Sequence, residues 1–405
     1  MNKNVLYLLI EPVVLGTYWY SMIMKGIYEQ ASKRLIGIKL IEGSLLKKEN
    51  FQYVDTDGPV IVVAATINWF NEIYRILQES QIRSILICTG EQRLRRYTSI
   101  ISLSHEESTI DIVNYMSKAG RRKTAYFACN PKSLVDKLKL SGYIKALNML
   151  DQKYDEGDVY YNKGCIEECL NLFFKKINSY DGAICANDVS AIALMRHATK
   201  NGIKIPEDLY VAGFGDTIIG RIINPSLTSV TLNYFDVGIQ AVENHIYIKK
   251  NPNILSQFTT IKSTIITRAS TEFRCEFKEA ENILLSVMSD HCIEMLQSNE
   301  NSFYSDIYVA DILKLENMFQ NMDSIDDGIL SGISQGHTYD TLTEELNISE
   351  STVKYRIKKL LNYSNMSSRR ELVTIIDSLL GLDAVKSYLN LNINKDRNYK
   401  QSDNS

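Results

Sequence analysis

The stretch Asp181-Gly-Ala-Ile-Cys-Ala-Asn-Asp-Val-Ser-Ala-Ile-Ala-Leu194 is an apolar run that ends in a polar pair and passes at once into a helical pattern. A strand that is apolar throughout is one whose two sheet faces are both covered. The polar pair Asn187–Asp188 then opens a helix. The same order recurs along the first 270 residues. Strands are expected at 4–10, 35–41, 59–65, 82–88, 123–128, 182–186 and 208–214. Helices are expected at 18–33, 69–79, 106–119, 131–149, 164–178, 187–201 and 234–248. Repeated βα units imply doubly wound parallel sheets. In such sheets ligands bind beyond the carboxyl ends of the strands.

The opening stretch runs on to Asn201-Gly-Ile-Lys-Ile-Pro-Glu-Asp-Leu-Tyr-Val-Ala-Gly-Phe-Gly-Asp216, then Asn224-Pro-Ser-Leu-Thr-Ser-Val230, and later Arg268-Ala-Ser-Thr271. These segments resemble the effector-binding domain of the lac repressor family, whose fold is shared with periplasmic sugar-binding proteins. The resemblance covers residues 3–271 and implies a two-lobed α/β, periplasmic-binding-protein-like domain with its ligand in the interlobe cleft. It also implies three hinge crossings, near 102–106, 230–235 and 261–267.

The resemblance implies pocket positions. Asp188 and Asp216 stand at neighbouring strand ends, where carboxylates suit the hydroxyls of a sugar-like effector. At such places Asp also serves as a helix cap or turn former. Trp19 and Tyr20, in Thr17-Tyr-Trp-Tyr20, follow the first strand, where the family presents aromatics to a sugar face; the other reading is that they cover the core. Trp69 follows the strand 59–65. Lys139, before Ser141-Gly142-Tyr143, takes the place of a family arginine, keeping the charge and losing the planar fork. Ser104-His105-Glu106 stands at a crossover where many members have Asp-Asn, and Ser104 with Glu107 reads as a capping box.

A second pattern lies near the other end. After Thr338 a short helix carries Leu342 and Leu346 one turn apart, Asn347 and Ile348 make a turn, and Ser349 can cap a second helix. Val353, Ile357, Leu360 and Leu361 form its buried stripe. The remaining face shows Ser351, Tyr355, Lys358, Lys359 and Asn362, with Lys354 and Arg356 at its flanks. From Ser349 to Arg370 six basic residues face one acid, a local charge of +5.

With Ser349, Ser351-Thr-Val-Lys-Tyr355 and then Arg369, Glu371, Leu372 and Val373, this segment resembles the DNA-binding domain of the LuxR family. The resemblance runs from Met322 to Leu380 and implies an all-α helix-turn-helix domain that meets double-stranded DNA. Ser351, Thr352, Lys354, Tyr355, Arg356, Lys358, Lys359 and Asn362 are then the DNA-binding positions. The segment departs from the family at its opening, where Met322-Asp-Ser-Ile-Asp326 replaces the usual Leu-Thr-x-Arg-Glu, and in its first short helix, where Thr341 and Thr343 replace Glu and Ala.

Length and charge set bounds on this reading. The 405 residues exceed one compact core. The net charge of −3 leaves attraction to DNA to a local patch. The seven cysteines are scattered, with no second Cys/His pair at zinc-site spacing, so no metal and no cofactor are expected. Glu11 and Pro12 interrupt the apolar run 5–10, and no span reaches the length of a bilayer crossing, so a cytoplasmic, non-membrane protein is expected. No Walker loop, His-Glu-x-x-His or nucleophile elbow is present, and Gly213-Phe-Gly215 lacks the third glycine of a dinucleotide site, so the chain is read as a non-enzyme.

The expected organisation is an effector domain over 1–271, a helical connector over 272–320, a DNA-binding domain over 321–382 and a polar tail over 383–405. In the lac repressor family the DNA-binding domain comes first; here the order is expected to be reversed. The function expected is that of a homodimeric, sequence-specific transcription regulator responsive to a small carbohydrate effector. The alternatives are a carbohydrate sensor acting through protein contacts without DNA, or an orphan regulator whose cleft has lost its ligand.

Overall fold

A computed structural model describes residues 5–15, 18–41, 58–87, 96–272 and 307–390. The positions of Cys88, Cys275 and Cys292, most of the expected connector, and the end of the tail lie outside these residues.

Two six-stranded sheets organise the first 271 residues. The first contains β1 (Val5–Ile10), β2 (Gly37–Ile41), β3 (Val60–Val63), β4 (Ser84–Ile87) and β5 (Thr98–Leu103). The second contains β6 (Thr124–Cys129), β7 (Val159–Tyr161), β8 (Gly182–Cys185), β9 (Tyr210–Phe214) and β10 (Thr228–Thr231). Two late strands, β11 (Phe258–Ile261) and β12 (Thr264–Ile266), return one to each sheet. The orders are β11-β5-β4-β3-β1-β2 and β12-β10-β9-β8-β6-β7. Every pairing is parallel except β10 with β12.

All residues of β3, β4 and β8 are buried, the pattern their unbroken apolar sequence predicts, whereas the edge strand β2 is partly exposed along its length. The covering helices are α1 (Tyr18–Lys33), α2 (Ile67–Glu79), α3 (His105–Lys118), α4 (Leu134–Met149), α5 (Ile166–Phe174), α6 (Asp188–Lys200), α7 (Ile218–Ile222) and α8 (Tyr234–Lys250). The chain passes between sheets at three places: from Leu103 to His105, from Thr231 to Tyr234 and from Ile261 to Thr264. Strands β5, β7, β10, β11 and β12 and the short α7 are absent from the expected elements, although hinge crossings are expected near β10, β11 and β12.

One capping assignment is corrected, and the alternative left open for Asp188 is resolved. Ser104 precedes α3, but its side chain does not cap it. Its Oγ instead accepts the Ser263 N–H at 3.1 Å, because the neighbouring crossing strand leaves that donor in need of a partner. At α6 the cap is Asn187, in a reciprocal capping box with Ser190, which frees the Asp188 carboxylate for other work.

The C-terminal region is helical: α9 (Ile307–Gln320), α10 (Ser324–Ser334), α11 (Tyr339–Leu346), α12 (Glu350–Tyr363) and α13 (Arg369–Leu380). Each start from α10 onward has a side-chain cap, from Asp323, Thr338, Ser349 and Ser368, worth about 1 kcal/mol apiece. Residues 382–390 continue as helix, with Val385 and Leu389 fully buried and Tyr388 edge-on to Phe319. The polar tail expected from 383 therefore begins later, because these apolar side chains complete the helical core.

Candidate functional site

Three expected ligand residues meet at the carboxyl ends of β8 and β9. Lys139 projects from α4 and is almost wholly buried; its Nζ donates to the Ala186 carbonyl at 2.7 Å and lies 4.6 Å from the centre of the Phe214 ring. Asp136 is 3.8 Å away. Burial lowers the Lys139 pKa, while Asp136 and Asp188 pull it back.

Asp188 is 1 % exposed and serves as a joint between strands. Its Oδ1 accepts the Ser229 hydroxyl at 2.6 Å, and its Oδ2 accepts the Thr217 N–H at 2.7 Å and the Thr217 hydroxyl at 3.1 Å. Burial raises its pKa and these hydrogen bonds oppose the rise. The approach requires glycine on the adjacent strand: a Cβ at Gly213 would sit 2.4 Å from Asp188 Oδ1.

Asp216 follows β9 in a left-handed backbone conformation, φ 51°. Its carboxylate lies 2.6 Å from Arg221 Nη2 and 2.5 Å from Arg268 Nη2. Thus Lys139, Asp188 and Asp216 are brought together, and each already has protein partners. His105, at the nearby crossing, is buried with Nδ1 unpartnered, and the buried Tyr126 hydroxyl is likewise unpartnered. Thr217, Ser229, Arg221 and Arg268 were missed by sequence reading. Arg268 stood in the Arg-Ala-Ser-Thr segment and Ser229 in the segment 224–230, whereas Thr217 and Arg221 carried no signal of their own.

The expected aromatics sit on first-lobe helices. Trp19 is half-buried near the start of α1, its ring 6.3 Å from Tyr234; Tyr20 packs beside it. Trp69 is half-buried on α2, against the apolar cluster that contains Phe70. Glu11 fixes this arrangement. Its Oε2 accepts the N–H groups of Ala65 and Thr66 at 2.7 and 3.0 Å, tying the end of β1 to the start of α2. The first-lobe segments 16–17, 42–57 and 88–95 lie outside the described residues.

In the C-terminal region, α11 and α12 are joined by Asn347 in the left-handed conformation, φ 51° and ψ 47°, and by Ile348. Ser349 Oγ accepts the Thr352 N–H at 3.2 Å. Val353, Ile357 and Leu360 are buried. Ser351, Lys354, Tyr355, Lys358 and Asn362 are exposed, Tyr355 by 67 %. Lys354 Nζ lies 2.7 Å from Glu350 and 5.9 Å from the centre of the Tyr339 ring.

Two expected DNA-facing residues point elsewhere. Arg356 pairs with Asp323 and, at 3.1 Å, with Asp326. Lys359 Nζ lies 2.8 Å from Asp326, whose side chain is fully buried. Both basic residues flank the buried stripe on the side that faces the first turn of α10, where the two acids stand three residues apart. Burial opposes ionisation of Asp323, yet the Arg356 hydrogen bond and the basic charges hold its pKa below the ordinary value. Thr352 is half-buried within the cap. The basic count over 349–370 therefore overstates the free positive surface.

Among the described residues no group of His, Cys, Asp or Glu is placed to hold a metal ion, and no helix is long and apolar enough to cross a membrane. Cys129, Cys169 and Cys185 are buried free thiols.

Residues 113–271 match the family described as "Periplasmic binding protein-like domain". The chain is 26 % identical over 227 residues to the NTD biosynthesis operon regulator NtdR of Bacillus subtilis, covering 55 % of this chain and 67 % of the relative. It is 25 % identical over 149 residues to the transcriptional repressor CytR of Escherichia coli, covering 35 % of this chain and 42 % of that one. The chain thus spans two thirds of the first relative's length and less than half of the second's.

Among solved structures, a CelR–cellobiose complex superposes with a TM-score of 0.56 at 18 % identity, over 66 % of this chain and 84 % of the other. The transcription regulator CcpA of Lactococcus lactis superposes with a TM-score of 0.55 at 18 % identity, over 66 % of this chain and 100 % of its own. At these identities the likeness is one of fold. The chain contains a two-sheet α/β, periplasmic-binding-protein-like domain followed by a helical C-terminal region.

Proposed function

We propose that this chain is a ligand-responsive transcription regulator that binds double-stranded DNA through α12 of a LuxR-type helix-turn-helix and senses a small carbohydrate in the interlobe cleft. The observation that carries the DNA reading is the outward face of α12. After a tight left-handed turn it presents Ser351, Lys354, Tyr355, Lys358 and Asn362 to solvent, while Val353, Ile357 and Leu360 anchor the helix from behind. A helix so mounted can enter a major groove. The matched relatives named above are regulators of transcription, which supports the same reading.

Sequence-specific recognition then calls for two such helices, one from each subunit of a homodimer, on half-sites about one helical turn apart. Gel shifts of the full chain against genomic and random DNA over a range of salt test it. Specific complexes whose affinity falls steeply with salt are expected. Absence of any complex at low salt overturns the DNA reading in favour of a sensor that acts through protein contacts.

The sugar reading rests on the placement of Lys139, Asp188 and Asp216 together at the carboxyl ends of β8 and β9. A second reading, an orphan regulator with a silent cleft, is favoured by one specific observation. Lys139, Asp188 and Asp216 are each already engaged by protein groups, so a ligand must displace or share those bonds. Calorimetry against a panel of mono- and disaccharides separates the two. Trp19 and Trp69 are the only tryptophans, so binding is also expected to change intrinsic fluorescence.

A further inference from the structure

Three successive backbone N–H groups at the start of α7 are taken by two carboxylates from distant parts of the chain. The Thr217 N–H goes to Asp188 Oδ2 at 2.7 Å. The Ile218 and Ile219 N–H groups go to the two oxygens of Glu316, at 2.9 and 2.8 Å. Glu316 belongs to α9, is 7 % exposed, and receives a further bond from Gln320 Nε2 at 2.8 Å. Around this seat Ile218, Ile219 and Ile222 join Val309, Ile312 and Leu315 in one apolar cluster that continues into α10–α13.

The contact has an unusual composition. A surface helix docked by apolar packing alone can slide over its neighbour. A buried carboxylate cannot, because leaving its donors strands a charge and two N–H groups without water. The other side of α7 is equally committed. Thr217 is bonded to Asp188 through both its N–H and its hydroxyl, and Arg221 on α7 holds Asp216. The short helix is therefore clamped between the strand ends of the second lobe and the first helix of the C-terminal region.

We propose that Glu316 is a latch that makes α7 a lever, so that displacement of the loop 215–217 at the mouth of the second lobe moves α9 and the helices packed on it. The latch is a property of the folded chain and does not depend on what the cleft or α12 binds. It supplies the mechanical link that a regulator of this domain order requires, since a bound effector acts at a distance only through an element whose position both regions bias.

Hydrogen exchange on the full-length chain tests the latch without any ligand. Glu316→Gln keeps the shape and removes one acceptor, and is expected to speed exchange of the 218–219 amides by about tenfold. Thr217→Val removes a hydroxyl whose partners, Asp188 and the Gly220 N–H that it caps, both lie outside α9. It is nonetheless expected to speed exchange across 307–320 as well as 216–222, while β3 and β4 keep their wild-type rates as a check on global stability. Asp188→Asn is expected to give the same pattern more strongly. Faster exchange confined to 216–222 in both Thr217→Val and Asp188→Asn overturns the coupling. Unchanged protection of 218–219 in Glu316→Gln overturns the seat, and silence of both other variants at 216–222 overturns the clamp. None of these outcomes bears on DNA binding, which the salt-dependent gel shift tests separately.

Discussion

Lys359 Nζ lies 2.8 Å from Oδ2 of Asp326, a carboxylate with no exposed side-chain surface. That pairing divides the charge of α12 in two. Arg356 and Lys359 turn toward α10 and hold the helical region together, whereas Lys354 and Lys358 turn toward solvent. A buried ion pair need not add net stability over an apolar replacement, but breaking one side of it is costly.

Asp326→Ala is accordingly expected to destabilise the C-terminal region by ~3 kcal/mol, since it leaves two mostly buried cations with only Asp323 between them. Lys359→Ala is expected to cost less, because Arg356 still neutralises Asp326. Urea unfolding followed by the signal of the C-terminal helices reads both. A Lys359→Ala variant of wild-type stability whose DNA affinity loses salt dependence would mean that Lys359 faces phosphate after all.

The outward pair is expected to behave differently. Lys358→Ala should change which operator variants bind, by roughly tenfold for the base pair it reads. Lys354, at the flank and beside Glu350, is better placed for the backbone. Lys354→Ala should weaken all sequences alike and flatten the slope of log affinity on log salt by about 0.9 for each phosphate that a subunit no longer neutralises. Equal weakening by both variants on every sequence refutes this division of the face.

Much of this arrangement was legible in the sequence because it rests on local rules. The caps at Thr338 and Ser349, the turn at Asn347–Ile348 and the stripe Val353–Ile357–Leu360 each follow from residues within one or two helical turns. The buried strands β3 and β8 declared themselves by unbroken apolar runs. What escaped was long-range polar pairing. Nothing near Glu316 marks it as a partner of Ile218, 98 positions away. Nothing near Asp216 shows that Arg268, 52 positions on, will hold it. Asp188 was expected at the ligand with a helix cap as the alternative, because Asp does that work most often; only the fold shows that Asn187 has taken the cap.

Asp216 therefore has a structural role to test beside its expected one. Asp216→Ala leaves the Arg221 and Arg268 guanidinium groups facing each other without their shared acceptor. A loss of ~1–3 kcal/mol is expected, moderated by the solvent access of Arg221. Asp216→Asn keeps the shape and is expected to lose less. Thermal unfolding of both variants without added ligand checks this. Wild-type stability in the alanine variant would free Asp216 from its structural assignment and strengthen its claim on an effector.

The last expectation concerns acid. His105 is 5 % exposed, and burial, reinforced by the charge of Lys139, holds its pKa down to about 3 from an ordinary value of 6.5. Between those two values the unfolded chain binds a proton at this site and the folded chain does not. Stability must therefore fall as pH drops below 6.5, by up to ~1.4 kcal/mol per pH unit for this one group. His245, also buried, is shifted the same way and adds to the slope. The buried acids Asp136, Asp188 and Glu316 are raised by burial and act with opposite sign, since the folded chain takes up their protons first. The two effects overlap above the ordinary carboxylate pKa, so the wild-type curve alone cannot assign the slope. The difference between wild type and His105→Asn can, because the carboxylates contribute almost equally to both. The variant's urea midpoint is expected to decline less steeply from pH 7 to pH 5, with the gap narrowing in its favour at each step. Parallel curves would mean that His105 is protonated in the folded chain, and that the crossing at Leu103–His105 is more open to water than its burial indicates.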